Sequence, residues 1–200
     1  PFIEFSGLHS HQNRLVAIAS SSEITEGIFE IDLLDKSWEH TPASSFSLAL
    51  TEISVGESFW FIGSNEENVH AWYYPPLNRQ ILLPPLLVKS HSGPTGMARC
   101  GLDLEVQFWT SRGWAVVDVN YGGSSGFGRE YRDRLRGNWG VTDVLDCTKA
   151  AQSLIASCKA DKDRIAILGS SASGFTALGC LMSTDIFNIG ACKYAVTDLI

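Results

Sequence analysis

Two hundred residues with 44% hydrophobic and 10% aromatic content suffice to bury a sizeable core, and 18 Gly with 7 Pro exclude a collagen-like or linker-dominated chain. A net charge of −7 and a pI near 5.2 argue against nucleic-acid or anionic-membrane partners, which need clustered Lys and Arg. No apolar run approaches the ~18 residues of a membrane span, so the expected class is soluble and globular. Pro1-Phe2-Ile3-Glu4 lacks both an initiator Met and the charged-then-apolar order of a signal peptide, and is read as a cut end.

Residues 13–22 (NRLVAIASSS) and 27–41 (GIFEIDLLDKSWEHT) are short strand-like runs separated by a polar turn, and 59–63 is a third. Charge changes sign between the two parts of the chain. Residues 1–67 carry 11 acidic and 2 basic side chains, net −9, whereas 68–200 carry 11 acidic and 13 basic, net +2. A few antiparallel strands in about 60 residues match one to one and a half propeller blades, and a lone blade cannot bury its own faces. Residues 1–67 are therefore expected to be the C-terminal piece of a β-propeller.

The rhythm then changes. An apolar run at 86–91 (LLVKSH) follows Pro84-Pro85. A helix is predicted over 102–112, with Leu104/Phe108 and Val106/Trp109 paired and Gly113 as its stop. Residues 114–119 (WAVVDV) form another apolar run. A second helix fits 141–157, with Val144, Leu145, Thr148, Ala151, Leu154 and Ile155 on one face. Then follow 164–168 (RIAIL), a helical stretch from 172 to about 183, and 191–196 (ACKYAV). Continuous apolar strands alternating with amphipathic helices predict an α/β fold, a parallel sheet covered by helices on both faces. Asp143 and Asp146, in the first turn and a half of the second helix, are read as solvated or capping carboxylates.

Five cysteines (100, 147, 158, 180, 192) form an odd set without CxxC spacing. That disfavours a structural metal site or a disulfide framework and predicts buried free thiols in a reducing compartment, the cytoplasm by default. No metal and no cofactor is expected.

The informative segment is 164–175 (RIAILGSSASGF), where a buried strand meets small residues and runs straight into a helix. This is the context of a nucleophile elbow, G-x-S-x-G. With Ser171 as nucleophile, Gly169 stands at −2 and Ser173 replaces the second glycine at +2. The helix beginning at Ala172 would point its N-terminus at developing negative charge. The competing reading is an ordinary Gly/Ser turn with Ser170 or Ser173 as N-cap. His91-Ser92-Gly93-Pro94 follows the first sheet strand, and 120–128 (NYGGSSGFG) follows the next. The latter lacks the glycine spacing of a phosphate loop and is read as a structural loop near the active face.

HSGP, then SRGWAVVDVNYGGSSGFGREYRDRLRGNWGVTDVLDC, then DRIAILGSSASGFTAL, in this order, resemble the prolyl oligopeptidase family of serine peptidases. The acylaminoacyl-peptidase and dipeptidyl-peptidase-like branch is the best match. The resemblance covers about residues 70–200, and the family's β-propeller would account for the preceding strands. It implies Ser171 as nucleophile, the N–H groups of Gly93 and Ala172 as oxyanion donors, and an oligopeptide substrate. It also leaves room for a homo-oligomer of the intact protein. The departures are Ser92 for Gly, Gly122 for Arg, and Ser170 and Ser173 for two elbow glycines. The triad order of this fold is Ser, Asp, His. None of His9, His11, His40, His70 and His91 follows Ser171, and Asp185 and Asp198 come too soon after it to be the triad acid. The expectation is a serine peptidase split by the ends of this chain: the end of a propeller plus the N-terminal part of an α/β-hydrolase domain (68–200), inactive alone. An esterase on the same fold, or a non-catalytic binding protein, are the alternatives.

Overall fold

A computed structural model describes residues 2–45, 48–78, 80 and 83–198. The chain divides into two compact units, Pro1–Val55 with Cys100–Phe108, and Gly56–Arg99 with Trp109–Ile200.

The first unit holds a four-stranded antiparallel meander, β1 (Glu4–His11), β2 (Arg14–Ser20), β3 (Gly27–Asp32) and β4 (Trp38–Pro42), paired in chain order. Its turns are built by short polar side chains. Asp32 and Asp35 accept the Leu34 and Ser37 N–H groups at 2.8 Å each, which bends the chain between β3 and β4. In β2, Ala17 and Ala19 are buried while Ile18 between them is exposed, the period-2 signature of a one-sided sheet. β1 carries no such alternation, being exposed at nearly every position, and so gives no sequence signal.

The second unit is built on six strands. These are β5 (Glu57–Ile62), β6 (Asn68–Tyr74), β7 (Leu86–Ser90), β8 (Ala115–Asn120), β9 (Ile165–Ser170) and β10 (Ile189–Lys193), in the order β10-β9-β7-β8-β6-β5. Strands β8, β7, β9 and β10 are parallel, and β6 and β5 add an antiparallel edge. The sheet is thus mixed, not wholly parallel as expected. Residues 59–62 of the third strand run correspondingly lie in this sheet and not with the first two runs. The charge boundary at 67/68 differs from the structural division at 55/56 because β5 is an edge strand, where acidic side chains such as Glu57 stay in water.

The helices are α1 (Leu104–Thr110), α2 (Arg129–Asp133), α3 (Thr142–Ala156) and α4 (Ala172–Ser183). Leu86, Val88, Val117, Ile165 and Ile167 meet Val144, Cys147, Leu154 and Ala177 in one core. Each fully buried aliphatic side chain of this kind contributes about 1.5–3 kcal/mol. β8 is buried at all its positions, so both its faces are covered. Two predicted helix faces need correction. Leu104 and Phe108 are exposed while Val106, Gln107 and Thr110 are buried, and Leu145 is exposed while Asp143 and Asp146 are buried. Cys147 and Cys180 are buried free thiols as expected, but Cys158 and Cys192 are exposed and Cys100 is half-buried. Among the described residues no helix is long and apolar enough to cross a membrane.

Candidate active site

Buried strand β9 ends at Ser170, and α4 begins at Ala172, with Ser171 alone at the junction. Between them Ser171 takes φ 52°, ψ −119°, a left-handed backbone that costs a non-glycine residue about 1–3 kcal/mol. Neighbouring backbone holds it there. Ser171 N–H donates to Lys193 O, and Ser171 O accepts from Val196 N and Gly174 N, all at 3.1 Å. A Cβ on Gly169 would collide with the Ser173 carbonyl, and one on Gly174 would sit 2.6 Å from Ala195 Cβ. The α4 backbone leaves no room for a side chain at −2 from Ser171, and Ala195 in the segment after β10 leaves none at +3. Ser171 is the N-cap residue of α4 but its hydroxyl makes no capping bond, so the simple N-cap reading of Ser170 or Ser173 does not describe this turn. Ala172 N–H lies in the first helical turn, where no intrahelical acceptor exists.

Ser173 does more than fill the +2 position with a small side chain. Its buried hydroxyl accepts from Ser170 N at 2.8 Å and donates to Ser170 O at 2.9 Å. One side chain thus satisfies both backbone groups of the residue before Ser171.

Gly93 lies in the loop after β7, with φ 76°, and an added Cβ would meet nothing within 4 Å. Its N–H donates to no group among the described residues. The loop is stitched to the Gly-rich segment after β8. His91 Nε2 lies 2.7 Å from Ser124 Oγ, Tyr121 Oη donates to Pro94 O at 3.1 Å, and Ser125 N–H donates to Gly96 O at 2.8 Å. The His91 ring stacks on Tyr121 at 4.6 Å, and its Nδ1 lies 3.1 Å from Gly93 O. Burial pushes the His91 pKa down, with the Gly93 carbonyl pulling the other way.

The carboxylates of α3 are neither solvated nor merely capping. Asp146 is fully buried; its Oδ1 accepts from Ser64 N and its Oδ2 from Gly122 N, both at 2.7 Å. Asp143, also fully buried, accepts Gly140 N at 2.6 Å and the Thr176 hydroxyl of α4. Burial pushes both carboxyls up in pKa, and these donors pull them partly back. Asp143 and Asp146 share a helical stripe with Cys147, Ala150 and Leu154, and that stripe was the sequence signal that could have exposed them. Ser124 and Ser173 had no comparable signal, since a hydroxyl in a Gly/Ser loop carries no periodicity. No hydrogen bond joins the Ser171 hydroxyl to a histidine among the described residues.

Residues 101–200, half of the chain, match the prolyl oligopeptidase family. The chain belongs to the prolyl oligopeptidase family. Its relatives include an acylamino-acid-releasing enzyme of Arabidopsis thaliana, 35% identical over 116 residues, which are 58% of this chain and 15% of that protein. All of this chain superimposes on 32% of a puromycin-hydrolysing peptidase of Mycobacterium tuberculosis, at 35% identity and a TM-score of 0.94. A second solved structure, a puromycin hydrolase, is 37% identical with a TM-score of 0.92, again over the whole of this chain and 31% of that one. The 200 residues thus span a third or less of these members of a serine peptidase family.

Proposed function

We propose that the whole protein is a serine peptidase that cleaves short peptides by acyl transfer, with Ser171 as nucleophile. The observation that carries this reading is the strained backbone of Ser171 at the β9–α4 junction, with Gly169 and Gly174 excluded from bearing side chains. Such a turn lifts a hydroxyl above the strand ends, where a substrate carbonyl can reach it. Ser171 Oγ adds to that carbonyl while a histidine base from beyond these 200 residues takes its proton. The N–H groups of Ala172 and Gly93 would hold the developing oxyanion, one at a helix N-terminus and one in an open glycine loop. The four-stranded meander is proposed to belong to a β-propeller that limits access to short chains.

The test uses the intact protein, aminoacyl and N-acyl-aminoacyl chromogenic substrates, and puromycin, because two structural neighbours are named for hydrolysing it. Ser171→Ala should lower kcat by about 10⁴-fold or more. A fluorophosphonate should label Ser171; an adduct on Ser170 or Ser173 would overturn the assignment.

A further inference from the structure

We propose, on the reading of Ala172 N–H as an oxyanion donor, that Asp143 is a positioning residue for the N-terminus of α4, acting through the Thr176 hydroxyl. Thr176 is fully buried and stands one helical turn after Ala172. Its hydroxyl has one hydrogen and two acceptors in reach, Asp143 Oδ2 and, at 3.4 Å, Ala172 O. Ala172 O already serves the helix as acceptor of the Thr176 N–H. The hydroxyl proton therefore goes to the closer carboxyl oxygen, which is also the stronger acceptor. The other oxygen of Asp143 accepts Gly140 N–H at 2.6 Å. Asp143 thereby joins the turn before α3 to the first turn of α4, one oxygen to each.

Other contacts between these segments are apolar or weak. The Trp139 and Phe175 rings pack at 5.3 Å, and a Cβ on Gly140 would sit 2.7 Å from Phe175 Cε1. A Cβ on Gly179 would sit 2.7 Å from Val144 Cγ2, and the Cys180 thiol donates weakly to Val144 O at 3.6 Å. Apolar contact is non-directional, so it holds α4 against α3 without fixing where along its axis α4 begins. A buried hydrogen bond to a carboxyl group is directional and fixes that position. Asp143 is also an expensive residue to bury. No Lys or Arg bonds to it among the described residues, and burial pushes its carboxyl up in pKa. Buried ionic groups contribute little net stability and are best attested as devices that set register. Here the register set is that of the turn carrying Ala172 N–H.

The test measures kcat, KM and inhibitor affinity in the intact protein. Thr176→Val removes the hydroxyl and keeps the branched shape, whereas Thr176→Ser keeps the hydroxyl. Outright loss of an oxyanion donor costs about 10²–10³-fold in kcat, and a displaced donor should cost less. Thr176→Val should lower kcat about 5–50-fold with KM within about twofold, and Thr176→Ser should restore most of that loss. Asp143→Ala should lose at least as much as Thr176→Val, and Thr176→Val on an Asp143→Ala background should add nothing. A peptide aldehyde, to whose carbonyl carbon Ser171 Oγ adds, places its oxygen among the oxyanion donors; the matching peptide alcohol does not. The ratio of aldehyde to alcohol affinity should fall together with kcat in Thr176→Val, which a purely structural role would not produce. Wild-type kcat in Thr176→Val, a loss confined to KM, an unchanged affinity ratio, or a Thr176→Ser protein as impaired as Thr176→Val overturns the proposal. Where Thr176→Val fails to fold, Thr176→Ala is read against the same outcomes. A wild-type protein that binds aldehyde and alcohol equally defeats the oxyanion reading itself. A high wild-type ratio that persists in Thr176→Val defeats only the role of Asp143.

Discussion

Ser173 is the residue whose chemistry its size conceals. From spacing alone it is a tolerated stand-in for glycine beside Ser171. In the folded chain its buried hydroxyl closes both backbone groups of half-buried Ser170. Removing a buried partner costs more than the bond itself contributes, because the group left behind stays dry. Ser173→Ala should therefore lower unfolding free energy by about 1–3 kcal/mol, read as a shifted denaturant midpoint at unchanged m-value. Ser173→Gly should lose at least as much, since it adds chain freedom inside a helix. Equal midpoints for all three proteins would show that the hydroxyl contributes nothing. The contrast with Gly169 is instructive. Its need for glycine was legible because a collision at −2 follows from any strand-to-helix turn, whereas the hydroxyl bridge depends on where one oxygen points.

At the scale of elements, α3 holds two loops in place through one side chain. Asp146 reaches the β5–β6 turn at Ser64 and the Gly-rich loop at Gly122, one carboxylate oxygen to each. Lys149 reinforces the first of these by donating to Gly63 O at 2.9 Å. Asparagine has a single acceptor oxygen, so Asp146→Asn turns an amide N–H toward one of two backbone N–H groups. The expected cost is about 1.5–3 kcal/mol, with faster amide exchange at Ser64 and Gly122 than the global loss accounts for. Exchange that accelerates uniformly would mean that no local clamp exists. Helix α3 itself was readable to within a residue or two from its apolar spacing, but its buried carboxylates were not, because charged residues are presumed solvated until a partner is seen. Strands β7, β8 and β9 were readable as apolar runs. β6 was not, for its residues are buried on both faces and show no alternation, and the segment NVHAWYY carries polar and aromatic residues in place of a Val-rich run.

For the molecule as a whole, the parallel half of the large sheet could be read from sequence because each strand there is separated by a helix, and crossovers imply parallel pairing. Its antiparallel edge could not, since the β5–β6 hairpin looks like the meander that precedes it. That hairpin brings His70 into the second unit, where it is buried, while His91 is half-buried. His70 Nδ1 accepts from Asn120 Nδ2 at 3.1 Å, and its Nε2 meets Ser58 Oγ at 3.1 Å. Burial pushes the pKa of both histidines below the ordinary 6.5. Between that value and the depressed folded one, the unfolded chain binds more protons than the folded chain does. Stability contributed by the neutral rings is complete above about pH 6.5 and is lost as pH falls through the folded pKa values. Asp143 and Asp146 act with the opposite sign, their raised pKa values favouring the folded state as pH falls toward 3.8. Comparison of two proteins separates the contributions. The unfolding free energy of wild type minus that of His70→Gln/His91→Asn should be constant from pH 7 to 8 and should decline steadily below pH 6.5, because only wild type carries the histidine penalty. A difference that stays flat down to pH 5 would mean that both rings charge as readily in the fold as outside it.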